Sequence, residues 1–263
     1  MLGASLILVG AEKGGVGKTT VTRLAAEYFL IKGNKVRIYD TQTPQASLKR
    51  YLPGRVELID LADSREQCRL FDSLDAPGRV TLIDLKAGAL FATLRSLDES
   101  GVFEAAAEGG LKISLLHVIG GSRASISEIE EIGLYRAALG YRLVRNLATG
   151  GGASSFRRLG GLNFPFGEEI VIPRLEPLAF EAVELAGCSF SSFVLGETDS
   201  SSRFADSFVL RGYVSSWLGR AWDGFEAAGL DDLAGLPEQI AHAASSKTSQ
   251  NQRKATNEQF QTQ

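Results

Sequence analysis

Short apolar runs alternate with longer segments of helical period along most of the chain. The runs fall at Ser5–Val9, Lys35–Tyr39, Val56–Asp60, Val80–Asp84, Ile113–Ile119, Arg142–Asn146 and Ile170–Ile172. Between them, Thr19–Ile31, Ser64–Phe71, Ala89–Leu97, Ser125–Ala138 and Leu178–Ala186 show helical periodicity. Apolar strands that alternate with helices predict βαβ units. The expected fold class is α/β, a doubly wound, mostly parallel sheet with helices on both faces. No segment repeats at a fixed period.

The pattern changes in the C-terminal third. Phe204, Phe208, Tyr213, Trp217, Leu218, Ala221, Trp222 and Phe225 recur at helical spacing within Arg203–Ala228, with Arg211, Arg220, Asp223 and Glu226 among them. This reads as an amphipathic helix docked on the sheet, with a membrane surface or a partner as the other reading. Gly212, Gly219 and Gly224 are places where it could break. From Ala244 the chain is polar and reads as a disordered tail. The expected organisation is one domain over 1–243, with a helical segment near 203–229, and a tail over 244–263.

Composition narrows the class. The chain has 263 residues, 44% hydrophobic and 22% charged, enough apolar material for a full core. Its net charge of −3 argues against a strongly basic nucleic-acid coat. The tail holds Lys247, Arg253 and Lys254 against Glu258, leaving 25 of the 28 basic and 30 of the 31 acidic groups in the body. Any nucleic-acid contact must then come from a local patch, a dimer or the tail. Cys68 and Cys188 are too few for a disulfide scaffold, which fits a reducing cytoplasm. The opening apolar run lacks a positive n-region and a cleavage site and reads as a buried strand. No run is long enough to span a membrane. His117 lies in an apolar run and reads as a core histidine, and His242 as solvated.

The glycines point to chemistry. The segment Ala11-Glu12-Lys13-Gly14-Gly15-Val16-Gly17-Lys18-Thr19-Thr20 joins an apolar run to a helical one. There, loop amides and a helix N-terminus can wrap a phosphate. Gly14, Gly15 and Gly17 allow close backbone approach, Lys18 reaches the β/γ-phosphates, and the Thr19 hydroxyl can ligate Mg²⁺. The usual first glycine of this loop is replaced by Glu12, and an extra lysine stands at 13.

Lys-Gly-Gly-Val-Gly-Lys-Thr resembles the deviant Walker A motif of the ParA/MinD family of P-loop ATPases. Val80–Asp84 followed by Leu85-Lys86-Ala87-Gly88 resembles that family's Walker B and switch II element. Asn146 resembles the residue that reads the adenine edge, and Ile172-Pro173-Arg174 the loop over the base. The resemblance implies ATP/ADP and Mg²⁺ as cofactors. It implies nucleotide contacts at Gly14, Gly15, Val16, Gly17, Lys18, Thr19, Thr20, Gly88, Asn146 and Pro173. The metal would be held by Thr19, Asp40 and Asp84.

One departure bears on rate. The family's D-x-D-P-Q pattern stands here as Asp40-Thr41-Gln42-Thr43-Pro44-Gln45. The second acid falls on Gln42 or Thr43, depending on the alignment, and is missing in both. Glutamine orients water but accepts protons poorly, so slow intrinsic hydrolysis is expected. The expected catalytic set is Lys13, Lys18, Asp40 and Gln42.

Lys13 implies an ATP-dependent homodimer in which each lysine reaches the partner's phosphates. Such ATPases are switches that position or segregate cargo with a stimulating protein partner. Plasmid or chromosome partition, or a DNA-transfer accessory, fits best. Arg142, Arg145, Arg157 and Arg158, near Gly150-Gly151-Gly152, are candidates for nonspecific DNA contact. The tail lacks an apolar face, so membrane-surface docking there is not expected. An alternative is a P-loop synthetase resembling dethiobiotin synthetase. An iron-sulfur carrier resembling the nitrogenase iron protein is disfavoured by the cysteine count.

Overall fold

The computed structural model describes residues 4–42, 47–74, 78–120, 123–135, 137–148, 169–198, 204 and 207–236. Seven strands form one sheet: β1 (Ser5–Gly10), β2 (Lys35–Asp40), β3 (Val56–Leu58), β4 (Arg79–Asp84), β5 (Lys112–Ile119), β6 (Gly140–Asn146) and β7 (Glu169–Ile172). Their order is β3-β2-β4-β1-β5-β6-β7, and every neighbouring pair is parallel. All seven expected runs are strands.

β1 is buried along its whole length because both faces of the sheet are covered. Ile7 and Val9 face one core, and Leu6 and Leu8 the other. The first core is closed by α1 (Lys18–Ile31), α2 (Ser47–Tyr51), α7 (Pro177–Ala186), α8 (Phe190–Leu195) and α9 (Phe208–Ala227). The second is closed by α3 (Ser64–Phe71), α4 (Leu90–Glu99), α5 (Val102–Gly109) and α6 (Arg123–Ile132). Helices on both faces give the three-layer α/β fold.

Two helical expectations are corrected. Ser125–Ala138 does not run as one helix: α6 stops at Ile132 and a 3₁₀ turn follows over Gly133–Tyr135. The glycines at 212, 219 and 224 do not break α9, which is continuous for 20 residues. Its buried face of Leu210, Val214, Trp217, Leu218, Ala221 and Phe225 outweighs a glycine penalty of about 1 kcal/mol each. A Cβ at Gly224 would lie 3.6 Å from the Val171 carbonyl oxygen, so this glycine also permits close approach to β7. A short α10 (Leu230–Leu233) ends the described chain. No described helix is long and apolar enough to cross a membrane.

Thr43, Pro44, Gln45, Gly150–Gly152, Arg157, Arg158, His242 and the 244–263 tail lie outside the described residues.

Candidate phosphate-binding site

Parallel strands deliver their C-terminal ends to one edge, and the glycine loop bridges β1 and α1 there. Gly17 forms the N-cap of α1 at φ 91°, and no side chain caps the helix or adds an acid to its first turn. Its leading amides are left for an anion. A Cβ on Gly17 would fall 1.9 Å from Asn146 Nδ2, so the left-handed turn and the close approach both demand glycine.

Asn146 ends β6 and is buried. Its Nδ2 donates to the Val16 carbonyl at 3.1 Å, and its Oδ1 accepts from Ala148 N at 3.0 Å. In this conformation it clamps the loop. The Pro173 carbonyl accepts from Trp217 Nε1 at 2.7 Å, so α9 fixes the loop after β7.

Lys18 is buried and its Nζ donates to the Lys13 carbonyl at 3.0 Å. Burial pushes its ammonium below the usual lysine range, against the pull of Asp84, Glu128 and Glu12. Lys13 is exposed. The loop thus turns one lysine inward and the other outward. Gly14 lies near switch II, since its Cβ would meet Ala87 Cβ at 3.6 Å. Thr20 is buried in the first turn of α1.

The metal-side residues converge. Thr19 Oγ1 donates to Asp84 Oδ2 at 2.7 Å, and Thr22 Oγ1 to Asp84 Oδ1 at 3.1 Å. Asp40 and Asp84 are register partners on β2 and β4. Burial pushes Asp84 up to about 7, with Asp40 raising it further and Thr19, Thr22 and Lys18 opposing. Burial also raises Asp40, against bonds from the Gln42 and Leu48 amides. A hydroxyl and two carboxylates make an all-oxygen donor set, which suits Mg²⁺. Among the described residues no group of three or more His, Cys, Asp or Glu could hold a metal alone. A metal here would therefore take its other ligands from phosphate and water.

Gln42 is exposed, and its Oε1 accepts from Ser47 Oγ at 3.5 Å. Gly88 adopts φ 76°, and its N–H donates to the Glu12 carbonyl at 2.9 Å.

Periodicity and motif did not reveal three side chains that brace the loop and the strand ends from behind. Thr41 Oγ1 donates to the Asp84 carbonyl at 3.2 Å and accepts from Lys86 N at 2.8 Å, tying the two switch strands together. Glu12 Oε1 accepts from Phe91 N at 2.8 Å and caps α4, whose N-cap Ala89 has no side chain to do so. Glu128 Oε2 accepts from Glu12 N at 3.1 Å. The unusual acid at position 12 was the one available signal.

A family model described as ATPase MipZ matches residues 5–83, which carry β1 to β3, the loop and β4 as far as Ile83. That match covers the first third of the chain, where the strands and the phosphate loop are similar to those of this ATPase family. Among solved structures, this chain is similar to a plasmid partition protein from Borrelia burgdorferi B31 bound to AMPPNP. That likeness has 12% identity and a TM-score of 0.52, over 85% of this chain and 99% of that one. A complex of a McdA variant from Cyanothece with ATP is similar at 14% identity and TM-score 0.49, covering 90% and 98%. The MinC:MinD cell division complex from Aquifex aeolicus is similar at 19% and 0.46, covering 82% and 95%. No curated protein matches the chain.

Proposed function

We propose that this chain is an ATP-driven switch of the ParA/MinD type, whose ATP-bound form is a homodimer that positions or segregates a cargo. The observation that carries the reading is the pair of loop lysines. Lys18 is directed into its own loop, while Lys13 is exposed at the same mouth. A cation presented outward can neutralise charge on a second copy's phosphates, as arginine fingers do for a rate gain of about 10³–10⁵.

In each protomer the Gly14–Thr20 amides cradle ATP, with Gly88 facing the γ-phosphate and Asn146 and Pro173 bordering the base. Thr19, with Asp84 and Asp40 behind it, would hold Mg²⁺, which would neutralise phosphate charge during transfer. Gln42 orients the attacking water without a carboxylate to take its proton, so hydrolysis is slow until a protein partner acts. Nonspecific DNA is the favoured cargo track, in partition or as a DNA-transfer accessory.

The test combines sedimentation velocity and phosphate release. Parental protein should dimerise with ATP or AMPPNP and not with ADP, and Lys13→Ala should dimerise with ATP only at much higher protein concentration. Plasmid DNA should co-sediment only with ATP. Hydrolysis that requires a small carboxylate or amine would replace the switch with a synthetase, and a monomer under all nucleotides would sink the switch.

A further inference from the structure

Behind the loop runs a line of buried polar side chains that phosphate binding alone does not require. Tyr141 on β6 places its hydroxyl 3.0 Å from His117 Nδ1 on β5. His117 Nε2 lies 3.1 Å from Glu128 Oε2 on α6. That same oxygen accepts the Glu12 amide at 3.1 Å, and the Lys13 amide bonds the same carboxylate.

The protonation pattern follows from the partners. Burial would raise Glu128, but bonds from His117 and from the Glu12 and Lys13 amides bring it below the usual carboxylate range. An ionised carboxylate only accepts, so His117 must donate from Nε2. Burial keeps the imidazole neutral, which leaves Nδ1 to accept from Tyr141. Every member of the line is then satisfied.

The line ends on the peptide that carries Lys13. The Lys13 amide is held by Glu128, and its carbonyl by Lys18 Nζ at 3.0 Å. With both polar groups of one residue fixed, its Cα–Cβ direction is fixed too. Beyond that point the stem passes the end of β5, where Lys13 Cδ lies 3.9 Å from where a Gly120 Cβ would stand. The Gly120 amide is itself bound by Ser125 Oγ on α6 at 3.2 Å.

We propose that Glu128, braced by His117 and Tyr141, is a positioning residue that aims Lys13 at the second copy of the chain. The proposal rests on the reading of Lys13 as the residue that acts in trans. A lysine stem is flexible, and a cation that must reach another molecule's phosphate gains from a root that is already oriented.

A double-mutant cycle on the full chain tests it. The readouts are the ATP-dependent dimer dissociation constant by sedimentation and the ADP dissociation constant of the monomer. Glu128→Ala should weaken the dimer by about tenfold, the scale of a lost hydrogen bond to a charged group. It should leave ADP affinity within about twofold, as expected if the phosphate cradle is unchanged. Glu128→Gln should fall between, and in a Lys13→Ala background neither change should weaken the dimer further. His117→Gln, which leaves Glu128 in place, should shift the dimer constant in the same direction and covers the case in which Glu128→Ala fails to fold.

Additive losses with Lys13→Ala, or an equal loss of ADP affinity, would overturn the positioning role and leave the trans lysine standing. A Lys13→Ala protein that dimerises like the parent would remove both.

Discussion

At Gly17 one methyl group would land 1.9 Å from Asn146 Nδ2, in a backbone conformation with φ of 91°. Gly17→Ala should therefore destabilise the protein by about 2–4 kcal/mol and abolish ATP binding, read by thermal denaturation with and without nucleotide. Asp84 gives a signed pH effect. Its ordinary value is 3.8 and its folded value about 7, so between them the folded state keeps a proton that the unfolded chain has released. Stability without nucleotide or metal should be greatest from this group at low pH and fall as pH rises through that window, by on the order of a few kcal/mol. Asp84→Asn should flatten that slope in a melting-temperature series. At Gln42 the expected outcome is a gain: Gln42→Asp restores a proton acceptor and should raise single-turnover hydrolysis by about tenfold or more. An unchanged rate would move the missing acid to Thr43.

Among the elements, the strands and the loop were legible and the short helices were not. Central strands such as β1 and β5 are near-continuous apolar runs because the sheet is covered on both faces, and that pattern is visible locally. α2 is five residues long and shows no full period. α8 is short as well, and Ser189 caps only its Ser192 amide, while Glu27 accepts the Phe190 amide from 163 positions away. Its partner contact, Glu27 to the Ser191 amide at 2.7 Å, is equally nonlocal. Thr41, Glu128 and His117 escaped for the same reason, since their roles depend on which strand ends the fold places side by side. The docking of α9 followed from its apolar positions, but its influence on the site did not. Trp217→Phe keeps the ring packed on Phe190 and deletes only the bond to the Pro173 carbonyl. It should lower stability by about 1 kcal/mol and weaken ATP binding more than it slows hydrolysis, as read by titration against single-turnover rates.

For the whole molecule, the acidic body limits where DNA can be held. Two of the four candidate arginines are already engaged. Arg142 donates to the Ala228 carbonyl, and Arg145 pairs with Glu169 at 2.6 Å. Arg145→Ala should consequently change DNA co-sedimentation by less than about twofold. Removal of 244–263, which takes away Lys247, Arg253, Lys254 and Glu258, should weaken it and reduce its salt dependence. Equal binding with and without that segment would direct attention to the dimer surface.

The buried face of α1 contains one more arrangement with a mechanical consequence. Arg23 is buried between the rings of Tyr51 and Phe190, 3.6 and 4.0 Å from their centroids, and pairs with Glu184 at 2.6 Å. The Tyr51 hydroxyl bonds the other oxygen of Glu184, and Arg50 donates to the Glu184 carbonyl. α2, the helix after β2, is thus riveted to α7. If nucleotide draws α2 inward, it must either drag α7 along or shear a buried guanidinium from the carboxylate it pairs with. The second course leaves a charge stranded in the core, so the easier motion is for the two helices to travel together, like a crank and its rod.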